Sequence, residues 1–294
     1  MAFLNPSPVM PLPAVMYLVV RYLAAAPKQR DRQDRVQALL APADVSAESL
    51  DASIGAGVAV GLFERDGDEL QLPGRLRPAA ASQAMFTIEL RRLCMAPAHA
   101  TGTIGSDTGA RDLARALTWF LKQDAYGEPF SWNAKERAAS VEVLEARQVG
   151  VGKIFVNDVR WVPFVRWARA LGFGRSDGAG FVPDPTSAIE AALPHVASSL
   201  QGDRVDAPRF LEALASELPV LQLGATRSEV DAIARAAPSD PAFVDSTLTH
   251  ALVRLRSRGV LALELQADAG PLQRMLALPA GAVEAFSSIR LAPS

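Results

Sequence analysis

Between Lys153 and Arg175 the chain carries five basic residues, Lys153, Arg160, Arg166, Arg169 and Arg175, against one acid, Asp158. Trp161 and Trp167 lie among them. Cations interleaved with large aromatics can hold phosphates and stack on, or wedge between, bases. The same spacing also suits a solvated helix face whose tryptophans turn to the core, so spacing alone leaves both readings open. A second set lies at 244–258. Projected on a helix, Val244, Leu248, Leu252 and Leu255 share one face, while Thr247, His250, Arg254 and Arg258 share a flanking one. A recognition helix needs that division, with apolar residues to the core and donors toward a groove. An ordinary exposed helix has it as well. The candidate nucleic-acid contacts are therefore Lys153, Arg160, Arg166, Trp167, Arg169, Arg175, Thr247, His250, Arg254 and Arg258.

Other chemistry is thinly represented. His99, His195 and His250 stand far apart, and none has a second ligand at helical spacing, so no metal site is expected. Cys94, the single cysteine, and His99 bracket CMAPAH with a proline between them. That reads as a buried thiol and a loop imidazole more readily than as a nucleophile and its base. Asp184 and Glu190 lack the E-x-K partner of a metal nuclease and read as helix-start carboxylates. ATGTIGSDTG at 100–109 is not followed by the Gly-Lys-Ser/Thr of a phosphate-cradling loop. The sequence gives no reason to expect an enzyme or a cofactor.

The elements that must position these residues follow from composition and punctuation. The chain has 294 residues, 49% of them hydrophobic, and a formal net charge of −2, which excludes a globally basic nucleic-acid binder. Aromatics make up only 6%, and Ala and Leu abound, which favours helices over a large sheet. One cysteine means no disulfide framework and suits a reducing cytoplasm. AVMYLVVRYLAAA at 14–26 resembles a secretory apolar region, but no Lys or Arg precedes Arg21, and Arg21 interrupts the run. The run is also too short to span a bilayer, so it is expected to be the first helix, with no membrane role.

Three stretches share one pattern: AVGLFERDGDELQLP at 59–73, LGFGRSDGAGFVPDP at 171–185 and RGVLALELQADAGPLQRMLALP at 258–279. Each has a helix ending near Gly, an Asp/Gly-rich turn, and a short apolar strand closing on Pro, which is hairpin grammar. In the third, Leu261, Leu263 and Leu265 alternate with polar or small residues, and Leu272, Leu276 and Leu278 are the expected return strand. The expected fold is mainly α, built of tandem winged-helix-like units, each a three-helix bundle with a small β-hairpin wing. The expected boundaries are 1–75 for unit 1, 76–107 for a connecting helix and loop, 108–200 for unit 2, and 201–294 for unit 3 with a C-terminal tail. Helices are expected over 13–26, 28–40 and 46–61, the last capped by Ser46, and over 76–96. Asp107 or Thr108 should open another, and Thr186 should cap one that Pro194 cuts short. The helix at 46–61 holds Glu48 and Asp51 but no Lys or Arg, so it should face protein and not phosphate.

GARDLARALTWFLKQDAYGEP at 109–129 and NDVRWVPFVRWARALGF…FVPDPTSAIEAAL at 157–193 resemble the DpdG-type protein of bacterial clusters that insert 7-deazaguanine bases into DNA and restrict unmodified phage DNA. The resemblance implies an accessory role in phage defence and carries over no catalytic residues. The expectation is a non-enzymatic, cytoplasmic DNA-binding or adaptor component, with double-stranded DNA and other subunits of a defence or DNA-modification complex as partners. The alternatives are a protein-interaction scaffold, like the winged-helix pairs that bind kleisin subunits, and a transcriptional regulator.

Overall fold

The computed structural model describes residues 3–4, 9–41, 47–96, 99, 109–146, 154–155, 158–200, 202, 204–233, 240, 242–266, 272–275 and 285–292. Expectations for Ser46, Asp107, Thr108, Lys153, Leu276 and Leu278 lie outside these residues. The described chain is mainly helical, with small three-stranded sheets. It forms two compact units, Met1–Ala114 with Phe155–Leu171, and Arg115–Ile154 with Gly172–Ser294.

In the first unit the apolar run becomes the helix Pro13–Ala25, with Met16, Val19, Val20 and Leu23 buried at helical spacing. Proline in its first turn loses no hydrogen bond that the helix would otherwise make, and Pro27 stops it. The helix Ala47–Ala59 buries small residues, among them Ala52, Ser53, Ala56 and Gly57. Gly57 is needed for close approach, because a Cβ there would lie 2.4 Å from the Phe63 ring. Strands β2 (Glu64–Asp66) and β3 (Glu69–Gln71) pair antiparallel, with Asp66 opposite Glu69. The turn is therefore Gly67-Asp68, and Gly67 takes the positive φ (+60°) that a two-residue hairpin demands of its first residue.

The expected helix over 28–40 begins later. Lys28 and Gln29 have φ of 55° and 57°, which breaks the helical path. Arg30–Arg32 then forms β1, which adds to the free edge of β3 with Asp31 opposite Leu70, and helix resumes at Gln33–Leu40. Pairing that edge satisfies backbone groups that local helix propensity cannot reach. Beyond a 3-10 segment at Gly74–Ala80, Ser82 caps the helix Gln83–Met95, accepting from the Met85 amide at 3.1 Å. Phe86, Leu90 and Cys94 are buried there. Arg91 is buried beside them and donates through Nε to the Leu171 carbonyl at 2.8 Å, and burial pulls its pKa down to about 10. The buried carboxylate of Asp112 accepts from the amides of Phe3 (3.1 Å) and Leu4 (2.6 Å). The Cys94 thiol pKa is raised by its own burial and, after that, by the charge of Asp112.

The second unit is organised by aromatics. Phe120 stacks on Phe181 at 5.1 Å, and Phe130 lies within 5.7 Å of both Trp119 and Phe120. Phe130 belongs to β4 (Phe130–Ser131), which pairs with β6 (Gly180–Pro183), itself paired to β5 (Gly174–Asp177). The helix Thr186–Ser199 follows and runs through Pro194 instead of ending there. The helices Ala207–Glu217, Ala225–Ile233 and Ser246–Ser257 come next, and Asp245 caps the last by accepting from the Leu248 amide at 2.9 Å.

The third expected hairpin does not form. Strand β9 (Leu261–Glu264) pairs with β12 (Ser288–Leu291), and β12 pairs on its other side with β7 (Arg204–Asp206). Strand β10 (Gln273–Met275) joins a separate mixed sheet, antiparallel to β11 (Ala285–Phe286) and parallel to β8 (Phe243–Val244). An alternating pattern says which face of a strand is buried, not which strand lies beside it. Strand β12 wins because Ile289, fully buried, sits opposite Leu263, and because Glu264 accepts from both Arg204 and Arg290, which would otherwise face each other as like charges. Leu265 and Leu272, expected on the buried face of that hairpin, are exposed. Across the three sheets with this motif the strand orders are β1-β3-β2, β4-β6-β5 and β7-β12-β9, so the earliest strand always lies beside the latest.

Leu252 and Ile289 are both fully buried. Truncating either to alanine should cost about 2–5 kcal/mol in thermal or denaturant unfolding, by lost burial and a cavity. Arg290→Ala, which removes an exposed ion pair, should cost no more than about 1 kcal/mol. Equal losses for Ile289→Ala and Arg290→Ala would disprove the central place of β12.

Candidate nucleic-acid interface

In the first unit the helix Trp161–Ala170 divides cleanly. Trp161, Phe164, Trp167 and Ala168 are buried, and Val162, Arg166 and Arg169 are exposed. The helix has two clear faces because Trp161 and Phe164 pack against Phe155, with centroids 5.2 Å away in each case. Trp167 has 0% exposure, its ring packs against Phe3 at 4.7 Å, and its indole N–H donates to the Pro11 carbonyl at 3.2 Å. It has no face left for a base, which corrects its assignment as a contact. Arg160, at the start of the helix, is half-buried. Arg166 is exposed and reaches the Met10 sulfur at 3.5 Å, and Arg169 is exposed one turn on.

In the second unit most of the remaining candidates converge on one carboxylate. Asp184, 6% exposed, follows the hairpin β5–β6. Its Oδ1 accepts from the Thr186 amide at 3.0 Å and the Thr186 hydroxyl at 2.5 Å, which caps the helix that begins there. Its Oδ2 accepts from Arg175 Nε at 3.1 Å and Arg254 Nη1 at 2.7 Å, and His250 Nε2 lies 3.9 Å away. Burial alone would raise the Asp184 pKa, but the bonds from Thr186 and the charge of Arg254 outweigh it and hold the carboxyl below the ordinary range. His250 packs edge-on against Tyr126 at 5.2 Å, and burial lowers its pKa despite the nearby Asp184. It is therefore mainly neutral at pH 7 and adds little positive charge. Arg258 pairs with Glu190 at 2.8 Å.

Thr247 also needs correction. It is 1% exposed, and its hydroxyl donates to the Leu121 carbonyl at 2.7 Å, anchoring the helix start instead of facing a groove. Asp184 is the residue that sequence reasoning undervalued. A carboxylate two residues before a helix start signalled a cap, but nothing in the sequence signalled that Arg175 and the distant Arg254 would share it. Among the described residues no cluster of three or more His, Cys, Asp or Glu could hold a metal, and no helix is long and apolar enough to cross a membrane.

A DpdG-like family model matches residues 1–269, and the chain belongs to that family. Membership suggests involvement in the 7-deazaguanine DNA modification system. No curated protein and no solved structure matches the chain.

A depressed pKa makes Asp184 a stabilising group above its unfolded value of about 3.9, and that contribution fades as pH falls through the lower folded value. Asp184→Asn should therefore lower the melting temperature at pH 7, with the gap from wild type narrowing below about pH 4. Arg254→Ala should cost about 1 kcal/mol, because its partner is buried while the guanidinium itself is partly solvated. A gap between Asp184→Asn and wild type that stays constant from pH 7 to pH 3 would contradict this account.

Proposed function

We propose that the chain is a non-enzymatic, cytoplasmic DNA-binding or adaptor component of a DNA-modification and anti-phage assembly, built from winged-helix-like units. The observation that carries the structural half of this reading is the recurrence of one grammar. Three times a helix is followed by a short edge strand, further helices and two later strands, and three times the sheet places the first strand beside the last. Winged-helix units have that order. In the third copy an insertion containing β10 and β11 separates the two later strands, which is why the turn-based pattern missed it.

The DNA half rests on exposed arginines on helices: Arg166 and Arg169 in one unit, Arg256 and Arg258 in the other. Phosphate contacts release counterions, so binding should weaken with salt at a slope set by their number. A second reading, a protein-interaction scaffold that touches no DNA, gains support from the pairing of Arg175 and Arg254 with Asp184 and of Arg258 with Glu190. Cations already neutralised offer less to phosphate.

Duplex binding measured against salt concentration separates the two. Arg166→Ala/Arg169→Ala and Arg256→Ala/Arg258→Ala should each weaken binding and flatten the logarithmic slope by about one to two. Arg32→Ala/Arg35→Ala, whose guanidinia pair with Asp34 and Asp31, should do neither. Absence of duplex binding by the wild type even at low salt would replace the DNA reading with the scaffold reading.

A further inference from the structure

Within the second unit a groove of about 680 Å³ opens between the segment after the helix Arg111–Leu121 and the exposed side of the helix Ala134–Ala146. Its floor and walls include Pro129, Phe130 and Leu144, and its polar lining includes Asp124 and Glu128. The volume lies within the range of binding clefts, and a lining that mixes apolar residues with a few polar ones is what such clefts share. None of the described lining residues is basic. Both carboxylates are exposed. The Asp124 carboxylate is held in place by the Tyr126 amide, which donates to its Oδ1 at 3.1 Å. Lys122, the nearest cation before it in the chain, is committed to Asp231.

Two large aromatics, Tyr126 and Trp132, lie in sequence among the residues that line the groove and are open to solvent. Tyr126 is 39% exposed and Trp132 is 45% exposed. Exposed Trp and Tyr are characteristic anchors of protein interfaces, and their ring faces attract cations. Burial and the charge of Asp124 raise the Tyr126 pKa, so the phenol stays neutral and keeps its hydroxyl as a donor.

We propose that this groove is a docking site for a partner protein segment that presents an arginine or lysine between apolar residues. The aliphatic stem of such a side chain would lie on Pro129, Phe130 and Leu144, with its charged head between Asp124 and Glu128. Charge complementarity selects this occupant. A nucleic acid would bring phosphate against two carboxylates, and an acidic or purely apolar peptide would leave those carboxylates desolvated without a partner. The site stands on the groove alone, whether or not the chain touches DNA.

The test uses the full chain and two labelled peptides, Gly-Leu-Arg-Ala-Arg-Leu-Gly and its counterpart with glutamate at both arginine positions. Fluorescence anisotropy should show saturable binding of the basic peptide and none of the acidic one. Asp124→Asn/Glu128→Gln, which keeps shape and removes charge, should weaken the basic peptide by about tenfold or more while leaving the melting temperature unchanged. Ser140→Trp, which fills the groove from an exposed helix position, should block it. Duplex affinity should be unchanged in both variants, so a failure of the groove is distinguishable from a failure of DNA binding. The proposal is overturned if the basic peptide does not bind saturably, or binds the two variants as well as the wild type.

Discussion

A buried carboxylate is expensive unless its oxygens are satisfied, and the second unit is arranged to satisfy one. Asp184 sits where the hairpin ends and a helix begins, and a later helix supplies its remaining donor. Four bonds, two from Thr186 and one each from Arg175 and Arg254, replace the water that burial removes. The asymmetry matters. Losing one arginine leaves a buried anion under-partnered, whereas losing the aspartate leaves two arginines that are each partly in water already. The hairpin, the helix after it and the helix at 246–257 are thus fixed to one another through a single side chain.

That arrangement bears on recognition. Residues that look from sequence like a cationic surface are in part the inside of an ion-pair network. Arg175 and Arg254 are oriented by Asp184, and Arg258 by Glu190, so their charge is shared before any ligand arrives. Pairing need not abolish phosphate binding, since a guanidinium has five N–H donors and an acid occupies only some of them. It does lower the local potential. In the first unit the balance differs, because Arg166 and Arg169 project from a helix whose opposite face is filled by Trp161, Phe164 and Trp167. There the aromatics act as ballast that fixes the helix, and the cations remain at the surface.

The chain also separates two kinds of polar surface. The groove between Asp124, Glu128 and the helix Ala134–Ala146 is acidic and apolar, while the exposed positions at 166, 169, 256 and 258 are cationic. A chain near electroneutrality can carry both an acidic groove and exposed cations, and each repels the ligand suited to the other.

What the sequence determined by itself is what depends on neighbours along the chain. The buried stripes of the helices at 13–25, 111–121 and 246–257 and the glycine that turns the first hairpin follow from local spacing and backbone sterics. The family resemblance was legible for the same reason, in contiguous blocks. Tertiary structure alone decided the rest. Arg30–Arg32 became a strand because a sheet edge was open, and Leu261–Glu264 took Ser288–Leu291 as its partner across an insertion. Trp167 and Thr247 went inside because Phe3, Pro11 and Leu121 came to meet them, and Asp184 became a hub because Arg254, seventy residues away, folded onto it. Periodicity records which face of an element is buried. It does not record what lies opposite, because that partner is set by backbone pairing and desolvation at long range, which no local spacing encodes.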